Sequence, residues 1–191
     1  MSMFYSGGRS TQPRHKVFVS YHHTNDQLYR DRFEQLFANT YDILVPRSVQ
    51  IGNIDPNLQT ETIRQRVRDE YIRDSTVTVV LVGAETWKRK HVDWEIASSI
   101  RDTKVNPRAG LLGIILPTYP RPSKTDYYPR TIPPRLYDNI KCGFAKIYDW
   151  SEDATAVQSC IHEAFETRNR INPDNSFPSF VNNRTGDRWQ E

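Results

Sequence analysis

The sequence predicts one α/β domain built on a five-stranded parallel sheet with helices on its faces. Short β-branched, apolar segments alternate with longer amphipathic segments along the chain, which is the pattern of successive strand–helix–strand units. Residues 75–82 (STVTVVLV) are almost continuously apolar, as expected of a central parallel strand that is covered on both faces. With right-handed crossovers, these elements form a doubly covered sheet.

The first elements are a strand, a helix and a second strand. Residues 16–21 (KVFVSY) alternate between polar and apolar side chains and predict a strand. Asn25 or Asp26 is the expected cap of the following helix. The apolar stripe of that helix is Leu28, Phe33, Leu36 and Phe37. Residues 41–45 predict a short second strand, which Pro46 closes.

The middle of the chain contains a loop, a charged helix and the central strand. Gly52, Pro56 and several polar residues predict a loop over 47–57. The spacing of Ile63, Val67 and Ile72 predicts an amphipathic helix over 58–72. After the strand at 75–82, a helix is predicted over about 86–103.

Two more strands and a last helix complete the domain. Residues 110–116 and 143–148 predict the fourth and fifth strands, and 152–168 predict the last helix. Residues 117–134 contain six prolines and predict an irregular excursion. Five strands in this sequence favour the flavodoxin-like order 2-1-3-4-5.

The ends of the chain have a different composition from the middle. We expect a flexible N-terminal lead over 1–14, the domain over 15–170 and a polar C-terminal tail over 171–191, to which no structure is assigned. No apolar segment approaches the length of a transmembrane helix, and no apolar leader is present, so we expect a cytoplasmic protein that does not bind membranes.

Charge and cysteine content exclude several classes of protein. The 26 basic and 23 acidic side chains give a net charge of +3, which is too balanced to predict nucleic-acid binding. The basic run at 88–90 is interpreted as a solvated start of a helix. Cys142 and Cys160 form no disulfide framework or zinc spacing and fit a reduced protein.

Common catalytic motifs are missing from the sequence. No GxGxxG, GxxxxGK[ST] or GxSxG pattern is present, nor is the His-x-Glu and Pro-Cys-x-x-Cys pair of zinc deaminases. A phosphoacceptor receiver would need an aspartate after the central strand and acids after the first. Those places hold Gly83 and the run 20–23 (SYHH), which argues against a receiver.

Glu95 is the residue around which we expect the chemistry. Trp87, His91 and Glu95 recur every four residues and share one face of the predicted helix. The adjacent stripe of Val92 and Ile96 docks on the sheet, so Glu95 lies at the edge of the buried face, near the strand ends where α/β pockets form. A surface glutamate paired with Arg101 or a lysine remains the alternative.

The residues that follow the first strand lie at the same edge of the sheet. Tyr21 offers a flat ring and a hydroxyl, and His22 and His23 can donate to phosphate or ribose; the alternative is a turn that caps the next helix. A metal site from His22, His23 and Asp26 is a minor alternative, so no metal is predicted. Likewise, Trp87 and Trp94 either stack on a heteroaromatic ring or pack in the core.

These residues carry a family resemblance. Residues 16–26 (KVFVSYHHTND) resemble the opening strand and loop of TIR (Toll/interleukin-1 receptor-like) domains. Residues 75–100 (STVTVVLVGAETWKRKHVDWEIASSI) resemble the third strand and next helix of the bacterial TIR-like branch that includes the Thoeris anti-phage ThsB family. GLLGIILP and GFAKIYDW also fit that branch, so the resemblance covers about 16–168 and implies a TIR fold.

The resemblance implies an enzyme that breaks the nicotinamide–ribose bond of NAD, either an NAD glycohydrolase or an ADP-ribosyl cyclase, with Glu95 as its catalytic residue. NAD is then the substrate, and no cofactor is implied. The implied product is a cyclic ADP-ribose-type signal that activates a partner effector protein. A phage-derived trigger and self-association are further expectations.

We expect the substrate pocket of such an enzyme to have two sides. We expect Phe18, Ser20, Tyr21, His22 and His23 on one side, and Trp87, His91 and Trp94 on the other. The sequence departs from the branch at His91, where an aromatic residue is common, and at the paired histidines. The alternatives are an NAD hydrolase, an enzyme that joins ADP-ribose to another acceptor, and a non-catalytic TIR interaction module.

Overall fold

The computed structural model of the chain describes residues 14–37, 42–44, 62 and 67–190. Four predictions lie wholly or largely outside these residues: the flexible N-terminal lead, the ends of the second strand, the loop over 47–57 and most of the helix over 58–72. At the end of that last segment, a single π-helical turn spans Val67–Tyr71.

The sheet is parallel throughout, and its strand order is β2-β1-β3-β4-β5. The strands are β1 (Lys16–Ser20), β2 (Asp42–Leu44), β3 (Val77–Val82), β4 (Gly110–Ile115) and β5 (Ala145–Asp149). Four of them have five or six residues, and the three-residue β2 pairs with β1 at one edge. The predicted class, a parallel α/β sheet flanked by helices, is confirmed.

Helices cover both faces of the sheet because its central strands are apolar on both sides. The helices are α1 (Gln27–Phe37), α2 (Lys90–Ser99), α3 (Pro134–Lys141) and α4 (Ala154–Thr167). Every residue of β3 and β4 is buried. Alternate strand residues point to opposite faces, so Val77 and Val79 pack with α1 and α4, whereas Val80 and Val82 pack with α2 and α3.

The helix predicted over 86–103 is shorter and interrupted. A 3₁₀ turn spans Thr86–Lys88, Arg89 is extended, and the α-helix begins at Lys90 and ends at Ser99. In a continuous helix the Lys88 carbonyl would accept from residue 92, but here it accepts from the backbone N–H of Arg184 at 2.8 Å. Trp87 therefore precedes α2 and does not share its face with Glu95, contrary to the prediction.

Two other predictions need correction. The sequence analysis did not predict helix α3, and it ended the irregular excursion at Pro134. Proline is tolerated at this first helical position because a backbone N–H there would have no partner within the helix. A 3₁₀ turn at Pro129–Thr131 also lies in the excursion. On α1, Phe33 and Phe37 are buried as predicted, but Leu28 is 76% exposed and does not belong to the apolar stripe.

The polar C-terminal segment, residues 172–190, packs over α2 and α3. Arg135 pairs with Asp93 at 2.9 Å, and both side chains are buried. The guanidinium of Arg135 also donates to the backbone carbonyls of Asn175, at 3.0 Å, and Phe177, at 2.6 Å. Phe180 donates its N–H to Asp93 at 3.0 Å. The boundaries of the domain and tail stay a prediction, but this part of the tail has a definite structure.

None of the helices in the described ranges has the length and apolar character that a membrane crossing requires.

Candidate functional site

The site is centred on a hydrogen bond between β1 and α2. Ser20, the last residue of β1, donates its hydroxyl to Glu95 Oε2 at 2.6 Å. Ser20 pairs in register with Val80 of β3, and Glu95 is on the middle turn of α2, the helix that follows β3. Glu95 is 3% exposed, so the alternative of a solvated surface glutamate is wrong. The carboxyl lies at the predicted edge of the sheet.

The carboxyl group of Glu95 has an unusual ionisation. Burial raises its pKa to about 8, and the hydrogen bond from Ser20 opposes part of that rise. No salt bridge to Glu95 is found within the described ranges. The carboxyl is therefore largely neutral at pH 7, and a cation placed beside it would favour its ionised form.

Three aromatic rings lie in a row next to this pair. The ring centroids of Tyr21 and His23 are 4.7 Å apart, and those of His23 and His91 are 4.5 Å apart. His91 Nε2 donates to the Tyr21 carbonyl at 3.0 Å, which links α2 to the loop after β1. Burial lowers the pKa of His91 to about 4, so its ring is neutral. The row is thus a rigid aromatic group without a charge on His91.

The alternative of a metal site is not supported by the positions of its side chains. His22 Nδ1 accepts the backbone N–H of Asn25 at 3.1 Å. The carboxylate of Asp26 accepts from threonine hydroxyls instead. Across the residues whose placement is described, no three histidine, cysteine, aspartate or glutamate side chains form a group that could hold a metal ion.

A family model described as "Thoeris protein ThsB, TIR-like domain" matches residues 18–120. The match is more than half of the chain, and it includes both Ser20 and Glu95. The chain belongs to this family. No curated protein sequence matches it. Membership makes this a TIR-like domain associated with Thoeris defence. The family match ends at residue 120, so α3, Arg135 and the C-terminal segment lie outside it.

Asp26 of this ThsB-family chain is buried, and its side chain does not cap the helix as the sequence suggested. Its backbone carbonyl caps α1, accepting from Arg30 N at 3.1 Å, but its side chain turns away from the helix. Oδ2 accepts from Thr86 at 3.2 Å, and Oδ1 accepts from Thr118 at 3.3 Å. Asp26 therefore joins the loops after β1, β3 and β4. The sequence analysis named Asp26 as a possible helix cap. No local sequence pattern indicates that its side-chain partners are 60 and 92 residues away.

Gly83 leaves room for the Asp26 carboxylate. A Cβ atom at this position would lie 2.3 Å from Asp26 Oδ1, so the carboxylate would have to move away from its threonine partners. We expect Gly83→Ala to lower the free energy of unfolding by about 1–3 kcal/mol, the usual cost of overpacking. Urea unfolding measures this value. In an Asp26→Ala background the same change should cost clearly less, because the clashing atoms are gone; an equal cost in both backgrounds would contradict the assignment.

The remaining predicted site residues lie in two other places. Phe18 is two residues before Ser20 on the same strand face, and it is fully buried. Trp94 donates its indole N–H to the Phe180 carbonyl at 2.9 Å. Trp87 is almost fully buried beside residues 183–190. The structure thus brings Ser20, Tyr21, His23, His91 and Glu95 together and places both tryptophans against the C-terminal segment; substrate contacts stay predictions.

Proposed function

We propose that this chain is an NAD-cleaving enzyme of anti-phage defence, which makes a cyclic ADP-ribose-type signal that activates a partner effector protein. The observation that supports the proposal best is the buried carboxyl of Glu95, bonded to Ser20 at the carboxyl end of β1. A carboxyl buried without a paired cation costs folding free energy. A domain that acts only as a scaffold gains nothing from such a buried carboxyl. An enzyme that cleaves a positively charged substrate needs it to stabilise that charge.

The proposed reaction requires little from the protein beyond one negative charge. The bond between ribose C1′ and the pyridinium nitrogen breaks, and its electron pair neutralises the ring, so nicotinamide leaves without a general acid. The ribose becomes oxocarbenium-like, and a nearby carboxylate stabilises that charge. A nucleophilic oxygen then bonds to C1′ and releases its proton. Water as nucleophile gives ADP-ribose, and a nucleophile within the same molecule gives a cyclic product.

The site residues have complementary roles in this proposal. The positive charge of the bound pyridinium favours the ionised form of Glu95, whereas burial disfavours that form and raises the pKa of the carboxyl. The hydroxyl of Ser20 holds the carboxylate in place, and the rings of Tyr21, His23 and His91 offer a surface for a flat heteroaromatic ring. Because His91 is neutral, it adds no competing charge. Exclusion of water would then decide between hydrolysis and cyclisation.

The conformation of the site fits an enzyme that is activated from outside. Glu95 is 3% exposed, so its carboxyl must become accessible before a substrate reaches it. We propose that a phage-derived trigger, together with self-association, shifts the domain to that open conformation. The effector is then reached through the diffusible nucleotide rather than by direct contact.

Mass spectrometry of small molecules from phage-infected cells tests the proposed function. Cells expressing the wild type are compared with cells expressing Glu95→Gln. A species found only with the wild type, at the mass of ADP-ribose less water, would establish a cyclase. The mass of ADP-ribose would indicate an NAD hydrolase, and a heavier adduct would indicate conjugation to another acceptor. If the extracts from the two strains contain the same small molecules, the non-catalytic interaction module is favoured.

The pH dependence of the reaction is a separate prediction. If ionised Glu95 is the active form, kcat/KM for NAD should rise with pH and level off above a midpoint near 8, the raised pKa of Glu95 in the free protein. The midpoint for kcat should be lower, since the bound pyridinium stabilises the carboxylate. Initial rates measured in triggered extracts or with active protein across this range check both midpoints. A kcat/KM that does not change between pH 6 and 9 would argue against control by Glu95.

A further inference from the structure

A cavity lies at the start of α2, and neither Ser20 nor Glu95 lines it. It is a cleft of about 550 Å³ between Trp87 and residues 183–190 of the C-terminal segment. Its volume is within the range of about 300–1,000 Å³ that is usual for small-molecule sites. The side chain of Glu95 does not line it. The cleft is therefore a separate candidate for binding a small molecule or another part of the same substrate.

Hydrogen bonds to backbone groups hold the walls of the cleft in place. The side chain of Asn183 accepts the N–H of Lys90, the first residue of α2, at 2.9 Å. Arg184 donates its N–H to the Lys88 carbonyl at 2.8 Å. At the other end, Trp189 donates its indole N–H to the Ile132 carbonyl at 2.8 Å. The cleft is thus formed by a segment that is hydrogen-bonded to the domain at both ends of the cleft.

The lining and borders of the cleft are rich in cations. Arg184 and Arg188 line it, whereas Asp187 is the one acid in its lining. The basic run at 88–90, which the sequence interpretation treated as a solvated helix start, contacts residues 183 and 184 through its backbone, while the Lys88 ammonium pairs with Glu85 outside the cleft. A neighbouring cleft of about 390 Å³ shares Arg188 and adds Arg130. Guanidinium groups arranged in this way favour phosphate oxygens.

The distance between the cleft and Glu95 suits one extended molecule. The cleft is bounded by the first residue of α2, Lys90, and Glu95 is five residues further along the same helix. At ~1.5 Å per residue, this is a rise of about 7.5 Å along the helix axis. A nucleotide whose ribose is at Glu95 can therefore extend its phosphates towards the arginines.

We propose that this cleft binds the ADP half of the dinucleotide whose nicotinamide end is cleaved at Glu95, an inference that rests on the proposed function. Arg184 and Arg188 bind the diphosphate, and the rest of the cleft, whose lining includes Trp87 and Trp189, holds the adenine. The C-terminal segment, which lies outside the family match, is thereby part of the substrate site.

Charge reversal at Arg188 tests the proposal. Arg188 is exposed, so Arg188→Glu should leave the fold intact. Titration calorimetry with ADP on the full chain should show a Kd raised about tenfold or more, because an attractive contact with phosphate becomes a repulsive one. The KM for NAD should rise similarly, with kcat little changed. Arg73→Glu is the matched control: it makes the same charge change on an exposed residue before β3, at the opposite end of the sheet.

The outcomes separate this inference from the proposed function. Loss of ADP affinity in Arg188→Glu but not in Arg73→Glu supports the cleft. Equal ADP affinity in all three proteins, or no ADP binding by the wild type, overturns it. If NAD is cleaved and its KM does not respond to Arg188→Glu, the cleft is wrong and the proposed function stands. If ADP binding depends on Arg188 but Glu95 has no effect on any nucleotide product, the proposed function fails and the cleft stands.

Discussion

Glu95→Gln is expected to remove nucleotide product while the protein stays folded. The glutamine side chain has the same shape and still accepts the hydrogen bond from Ser20, which is 2.6 Å from Glu95 Oε2 in the wild type. It cannot ionise, so it cannot stabilise the positive ribose. We expect a loss of about 10³-fold or more in rate, the usual order when an electrostatic or acid–base group is removed. Mass spectrometry of the product and circular dichroism of the variant measure the two parts of this prediction.

Ser20→Ala is the matched variant for this experiment. It keeps the carboxyl of Glu95 but removes the hydrogen bond that lowers its pKa, so the pKa should rise further. Activity at neutral pH should fall less than in Glu95→Gln and should recover in part at higher pH.

A folded Glu95→Gln protein with wild-type product formation would exclude Glu95 as the catalytic residue.

The stability of Glu95→Gln relative to the wild type should depend on pH. Because the pKa of Glu95 is raised in the folded protein, to about 8 from 4.5, the folded state favours the protonated carboxyl. That contribution to stability is fully present below pH 4.5 and is lost as the pH rises through 8. Glutamine never ionises, so the variant should gain stability relative to the wild type as the pH increases. Thermal unfolding across this range measures the gain, at about 2–4 °C per kcal/mol.

Arg135→Ala is expected to give the largest loss of stability. Arg135 and Asp93 form an ion pair whose side chains are 0% and 2% exposed. Removal of one partner leaves the other charge buried, at a cost of about 3–5 kcal/mol. The carbonyls of Asn175 and Phe177 lose their donor as well, so the C-terminal segment should detach from α2. Urea unfolding and limited proteolysis within residues 172–190 measure the two effects.

An exposed ion pair provides the control for Arg135. Lys146 pairs with Glu163, and their side chains are 60% and 41% exposed. Lys146→Ala should therefore cost about 0–1 kcal/mol, as is usual for solvated pairs, and should leave the C-terminal segment protected. If Arg135→Ala costs no more than this control, the buried pair does not anchor the segment.

Local patterns in the sequence were sufficient for the main features of the fold and for the central site residue. The apolar run of β3 predicts a strand that is buried on both faces, because each of its residues must leave water wherever the strand lies in the sheet. Glu95 was found in the same way, since a carboxylate beside the apolar stripe of α2 is visible from helical periodicity alone. The Ser20–Glu95 contact is consistent with Ser20 ending β1 and Glu95 lying on the helix that follows the neighbouring strand β3.

Sequence patterns by themselves predicted the class of fold and the position of Glu95 at the buried side of its helix, because period and apolar content are properties of neighbouring residues. The tertiary structure alone decided the break at Arg89, the three-loop contact of Asp26 and the docking of the C-terminal segment. Each of these depends on a partner far along the chain, such as Arg135, which is 42 residues from Asp93. A buried polar group must find a hydrogen-bond partner, but the requirement does not specify which residue supplies it.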